Sequence, residues 1–121
     1  MLPSKNLLID VLSILSIEID CFIQAPSLED EIIQSLMSES EFDYFKLIKI
    51  NNQNRNIIIN HFLHNDIIQY FQSIQLKQDS KLLFEAYDGV EYGIVSKDVI
   101  IPDWFNTVYI SDGTCIVSKN W

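Results

Sequence analysis

The chain has 121 residues, with 17 acidic and 8 basic side chains and a formal net charge of -9, and 48% of it is hydrophobic. This length predicts a single domain, 1–121, and the hydrophobic content argues against disorder. The negative charge argues against a nucleic-acid-binding surface and against docking on an anionic membrane, because phosphate groups would be repelled.

The N-terminal apolar run predicts a first helix from about residue 4 to residue 24. Its large apolar side chains recur at spacings of four, three, four and three, so they share one helical stripe. These residues are Leu8, Leu12, Leu15, Ile19 and Phe22. The β-branched residues from Ile14 to Ile19 leave a strand as the alternative.

Acidic residues argue against a signal peptide or a membrane-spanning helix in this run. Asp10 interrupts it early and Glu18 and Asp20 interrupt it late, and each carboxylate would cost roughly 3 kcal/mol in hydrocarbon. No small-residue cleavage site follows. Two cysteines, Cys21 and Cys115, are too few for a disulfide framework, which favours reduced thiols. The sequence therefore predicts a cytoplasmic protein.

The middle of the chain predicts two helices and a hairpin between them. Ser27 resembles the N-cap of a short second helix over 28–38, which follows Pro26. The apolar runs 42–50 and 56–63 flank a polar connection and favour a hairpin, although each run also suits a helix. A further helix is predicted from 66 to about 75, after an Asn-Asp cap.

The C-terminal third predicts two hairpins, each closed by an Asp-Gly pair, which suits a type I′ turn. Asp88-Gly89 would join 82–87 to 90–95, with Tyr87, Val90, Tyr92 and Ile94 on one face. Asp112-Gly113 would join 108–111 to 114–117, with an apolar face of Val108, Ile110, Cys115 and Val117. The predicted fold class is α+β, with N-terminal helices packed on a C-terminal antiparallel sheet built from hairpins.

Several residues were considered for catalysis or metal binding. His61 and His64 would share a helical face, but the sequence supplies no third metal ligand, so their role stays open. Cys115 falls on an apolar hairpin face, where a thiol behaves as a small hydrophobe rather than a nucleophile. The carboxylate pairs Asp98 with Asp103 and Glu85 with Glu91 are expected by chance in so acidic a chain. We predict no catalytic residue, no metal, no cofactor and no enzymatic activity.

The distribution of charge indicates a binding protein instead. Residues 1–43 hold nine acids and one base, residues 44–81 hold two acids and five bases, and residues 82–121 hold six acids and two bases. An acidic surface attracts a basic partner and speeds its association. Aromatic residues beside acids are typical of interface anchors, although Trp104 and Phe105 also suit a core. The predicted partner-binding residues are Asp88, Glu91, Asp98, Asp103, Trp104, Tyr109 and Asp112.

Three segments of the C-terminal region resemble small bacterial immunity proteins. They are Leu83 to Gly89, Ile101 to Phe105 and Tyr109 to Gly113. Such proteins belong to contact-dependent growth inhibition and related polymorphic toxin systems. The resemblance covers about a third of the chain and concerns size, acidity and a β-rich end, so it transfers no individual residue roles.

The resemblance implies an intracellular immunity protein that binds and neutralises a cognate bacterial toxin domain. Many such toxins are nucleases with basic clefts, which an acidic protein can occupy. The alternative is an acidic adaptor or regulatory domain that binds another host protein. A small enzyme would require a pocket that joins His61 or His64 to acids. The oligomeric state stays open, since exposed sheet edges would permit a dimer without requiring one.

Overall fold

The computed structural model describes residue 4 and residues 6–121. Its helices are α1 (Leu7–Ile14), α2 (Glu31–Leu36), α3 (Arg55–His64) and α4 (Asp103–Phe105). Its strands are β1 (Ile19–Gln24), β2 (Ser38–Glu39), β3 (Lys46–Ile50), β4 (Ser73–Gln78), β5 (Lys81–Tyr87), β6 (Tyr92–Val95) and β7 (Cys115–Val117). The strands form one sheet in the order β2-β3-β1-β4-β5-β6-β7, which is antiparallel except between β6 and β7. The predicted α+β class is confirmed.

The core lies on one side of this sheet, which we term the inner face. Because side chains alternate along each strand, cross-strand pairing places buried residues in rows on that side. One row consists of Ile48, Cys21, Leu76, Phe84 and Val95. The next consists of Ile23, Ile74, Ala86, Gly93 and Cys115.

All four helices cover the inner face. Leu7 of α1 reaches Gly93 on β6, and α3 packs against α1. A π-helical segment, Asn106–Ile110, continues α4 and carries Tyr109, whose hydroxyl donates a hydrogen bond to Asp10 of α1. The opposite side of the sheet, the outer face, is therefore free of helices in the described part of the chain.

The predicted first helix is correct only in its first half. α1 ends at Ile14, and residues 19–24 form β1, which lies between β3 and β4. Its inner side chains are all apolar, and on its outer face Phe22 is buried between the polar Asp20 and Gln24, so the alternation is incomplete and the apolar residues also fit a helical stripe. No helix among the described residues is long and apolar enough to cross a membrane.

The middle of the chain differs more from the prediction. α2 exists but is shorter than 28–38, and Asp30 rather than Ser27 caps it by accepting a bond from the Ile33 N–H at 2.9 Å. The predicted hairpin is wrong, because β3 is followed by α3 instead of a second strand. Asn51 and Asn54 exchange side-chain to backbone bonds of 2.8 and 3.0 Å, which turn the chain into that helix.

The helix predicted over 66–75 is also wrong. Only Ile68–Tyr70 forms a 3₁₀ turn, and β4 begins at Ser73. β4 and β5 then form a hairpin closed by Asp79 and Ser80, whose φ angles are 48° and 68°. These angles suit a type I′ turn. Because the turn contains no glycine, the sequence pattern for a hairpin is weak at this position.

The first C-terminal hairpin is confirmed, with a longer loop. Tyr87 pairs with Tyr92, so four residues form the connection and the register differs by two from the predicted one. The loop is held by Gly89, whose N–H donates to the carbonyl of Phe71 at 2.8 Å. Val90 is buried in the same loop despite a φ of 60°.

The second predicted hairpin is wrong. Residues 103–110 are helical, and β7 pairs with β6 in parallel rather than with residues 108–111. Phe105 and Tyr109, four residues apart, are both buried, so core packing overrides the Asp-Gly turn signal. Gly113, with a φ of 82°, instead lies in the loop that leads into β7.

Candidate partner-binding surface

The outer face exposes a compact apolar and aromatic cluster on β5, β6 and β7. Tyr87 and Tyr92 are directly paired across strands and are 52% and 67% exposed. Ile94 follows two residues after Tyr92 on the same face, and Ile116, which is 53% exposed, lies beside it on β7. We call Tyr87, Tyr92, Ile94 and Ile116 the tyrosine patch. Contiguous exposed apolar side chains of this kind mark interaction sites.

Acidic residues surround the tyrosine patch. Glu85 pairs with Ile94 on the outer face, and its charge together with burial raises the pKa of Tyr87. Asp88 and Glu91 lie in the loop that joins β5 to β6. Asp112 lies in the neighbouring loop, because the carbonyl of Thr114 accepts a bond from the Gly93 N–H.

Basic residues are absent from the segments that build this surface. Residues 82–96 and 103–118 together contain five acids and no lysine or arginine. The tyrosine patch therefore combines exposed aromatic side chains with neighbouring negative charges. Such a surface complements a basic protein and disfavours an acidic one.

The other half of the outer face has mixed charge. Asp20 on β1 pairs with Lys49 on β3 and with Lys77 on β4. The Lys77 amine also lies 4.4 Å from the ring centroid of Phe42, whose ring packs edge-on against Phe22. The basic middle of the sequence thus meets its acidic N-terminal segment on the sheet, and the two do not form separate charged regions.

The structure divides the predicted partner-binding residues into two groups. Asp88, Glu91 and Asp112 lie together at one end of β6. Asp98 lies beyond the other end, where an ion pair with Lys81 lowers the pKa of its carboxyl group. Asp103 begins α4, which follows that segment. The length of β6 therefore separates Asp98 from Asp88, Glu91 and Asp112, and a role of these residues in partner binding stays a prediction.

The two predicted aromatic anchors are not on the tyrosine patch. Tyr109 is 4% exposed and lies in the core, so it is unavailable as a surface anchor. Trp104 is half-buried and packs edge-on against Phe105 at 5.8 Å between centroids. Sequence reasoning placed Tyr87, Tyr92 and Ile94 on one face of a hairpin, but it could not tell that this face is exposed.

Tyr109 is held by a buried carboxylate that the sequence did not single out. Asp10 is 2% exposed, and its oxygens accept bonds from the Ser4 N–H at 3.0 and 3.1 Å and from the Tyr109 hydroxyl. Burial, and then the bond to Asp10, raise the pKa of Tyr109. This cluster joins α1 to the π-helical segment and is structural.

His61 and Cys115 both have structural surroundings, since His61 bonds to a helix cap and Cys115 is buried. His61 Nε2 lies 3.0 Å from both carboxylate oxygens of Asp30, which links α3 to the cap of α2. Burial would raise the pKa of Asp30, but bonds from the Ile33 N–H and from His61 lower it overall. Cys115 is a buried free thiol, and burial raises its pKa to about 12.

One shallow cleft brings a histidine near an acid. It has a volume of about 270 Å³, and His64 and Asp66 are among its lining residues. His64 Nδ1 donates to the carbonyl of Asn60 at 2.8 Å rather than to Asp66, and the lining contains no serine, threonine or cysteine. Within the described residues, no group of three potential metal ligands occurs.

Comparisons with family models, with curated proteins and with solved structures found no match to the chain.

Proposed function

We propose that this protein is an intracellular immunity protein, which binds a cognate bacterial toxin domain and blocks its active site or a nearby surface. The tyrosine patch is the observation that carries the proposal. Tyrosine side chains are frequent hot-spot residues, because they bury a large area and lose little conformational entropy. In this proposal the protein acts in the cytoplasm and performs no catalysis.

The partner is a basic protein, and a nuclease-type toxin domain fits this description. Glu85, Asp88, Glu91 and Asp112 give the patch a negative border, and Lys81 at the start of β5 is paired with Asp98. A nuclease cleft carries positive charge because it accepts phosphate, so the same cleft attracts this surface. The resemblance to immunity proteins is the reason for proposing a toxin as the partner. The tyrosine patch is the reason for proposing where that partner binds.

Charge reversal at the patch is expected to slow association with the partner. The probe is the C-terminal domain encoded by the gene directly upstream, since immunity genes follow their toxin genes. Asp88→Lys combined with Glu91→Lys should lower the association rate at low salt by about tenfold, because electrostatic steering is lost. Stopped-flow fluorescence at two ionic strengths measures this effect.

The matched control is Asp98→Lys combined with Asp103→Lys, which makes the same charge change away from the patch. We expect this control to keep most of the association rate. Co-expression supplies the functional readout: the wild-type chain should restore growth to cells that produce the toxin domain. Failure of the wild-type chain to bind the domain and protect cells would refute the immunity function and favour the adaptor alternative.

A further inference from the structure

The loop between β2 and β3, residues 40–45, presents another exposed tyrosine, Tyr44, and its base is held by hydrogen bonds. Ser40 Oγ accepts a bond from the Phe42 N–H at 3.1 Å and donates to the Phe45 carbonyl at 2.8 Å. The Phe42 ring packs on Phe22 of the outer face, with ring centroids 5.2 Å apart. These contacts fix the base of the loop to the outer face, on the half opposite the tyrosine patch.

The fold does not require a tyrosine at position 44. Its side chain is 86% exposed, and its φ of 72° lies in the left-handed region that disfavours a bulky residue. Glycine would adopt this φ without strain. Neither packing nor backbone conformation therefore accounts for the aromatic ring.

Tyr44 has exposed acidic neighbours in its own loop, although Lys77 lies against the Phe42 ring at the base of that loop. Glu41 and Asp43 lie in the same loop and are exposed, whereas Glu39 is engaged with Lys46. An exposed tyrosine beside acids is the same combination that the patch displays. Both elements therefore suit one basic partner.

The spacing of the two elements fits a single interface. Five strand-to-strand steps separate β3 from β7, which corresponds to about 24 Å at roughly 4.8 Å per step. A standard protein interface buries about 800 Å² per partner, a patch roughly 30 Å across. One partner lying on the outer face would reach both elements.

We infer that Tyr44 is a second anchor for the basic partner and determines which partner is accepted. This inference rests on the proposed function. The tyrosine patch supplies the main buried area, and Tyr44 adds a contact that a domain of different shape would not make.

Tyr44→Gly tests this role, because it removes the ring and relieves the backbone together. We expect the melting temperature to rise while the affinity for the upstream-encoded domain falls at least about tenfold, as for an anchor residue. Tyr44→Phe should keep most of the affinity. Ile57→Ala, which truncates a 65% exposed apolar side chain on α3, should leave binding unchanged. Isothermal titration calorimetry and thermal unfolding provide the two readouts.

Wild-type affinity in Tyr44→Gly would refute the anchor while leaving the proposed function intact, provided that variants of the tyrosine patch still lose binding. An equal loss in Tyr44→Gly and Ile57→Ala would refute it as well. If the wild-type chain does not bind the domain, the proposed function fails and this inference fails with it.

Discussion

Gly93→Ala is expected to destabilise the fold by about 3 kcal/mol, through overpacking of the core. A Cβ atom at this position would lie 2.5 Å from Phe84 Cε1 and 2.6 Å from Phe84 Cζ. The ring cannot move aside easily, because Phe84 is fully buried and Leu7 approaches the same position from α1. Urea denaturation followed by circular dichroism measures the loss.

A second substitution separates this steric cause from a general intolerance of the strand. Phe84→Leu alone should cost about 1 kcal/mol, but in the Gly93→Ala background it should recover part of the lost stability, a favourable coupling. Gly113→Ala is the control, since its Cβ would contact nothing within 4 Å and only its φ of 82° opposes it. Additive losses at Gly93 and Phe84 would contradict the proposed clash.

Tyr109→Phe is expected to lower the free energy of unfolding by about 2 kcal/mol, although it removes only a hydroxyl group. The reason is that Asp10 is 2% exposed and would lose a donor without gaining water in its place. Tyr92→Phe makes the same chemical change at a 67% exposed position and should cost less than about 0.5 kcal/mol. Equal effects of the two variants would show that the Asp10 contact contributes nothing to stability.

Local patterns predicted part of the fold correctly. The α+β class, the presence of a short second helix and the β5–β6 hairpin all depend on short-range signals such as caps and turn residues. β1 was missed because the buried Phe22 on its outer face weakens the alternation that would separate a strand from a helix. The helix of residues 103–110 was missed because Asp112-Gly113 carries a hairpin signal that tertiary packing overrides.

The binding surface was only partly predictable for the same reason. Tyr87, Tyr92 and Ile94 were correctly placed on one face of a hairpin, but the position of the helices decides which face is exposed. Ile116 lies beside them because β7 pairs in parallel with β6, and no short-range sequence pattern predicts that pairing. Tyr109 lies in the core, where its hydroxyl donates a bond to Asp10, a residue 99 positions away in the sequence.

The structure also changes how the net charge of -9 is understood. The basic residues of the middle segment interleave with acids on β1, β3 and β4, so that half of the outer face is mixed. The half formed by β5, β6 and β7 carries acids beside exposed tyrosines, and Lys81 at the start of β5 is paired with Asp98. The main contact proposed with a basic partner therefore lies on this half.

The most direct test compares two variants, each with one new positive charge on a different side of the sheet. The affinity of each variant for the upstream-encoded toxin domain is measured. Ile116→Lys alters the tyrosine patch, and Ile57→Lys alters α3 on the helical side at a comparable exposure of 65%. We expect Ile116→Lys to weaken binding by about thirtyfold or more, the effect of a hot-spot residue, and Ile57→Lys to bind as the wild-type chain does. Equal affinities of the two variants would contradict the assignment of the tyrosine patch as the binding surface.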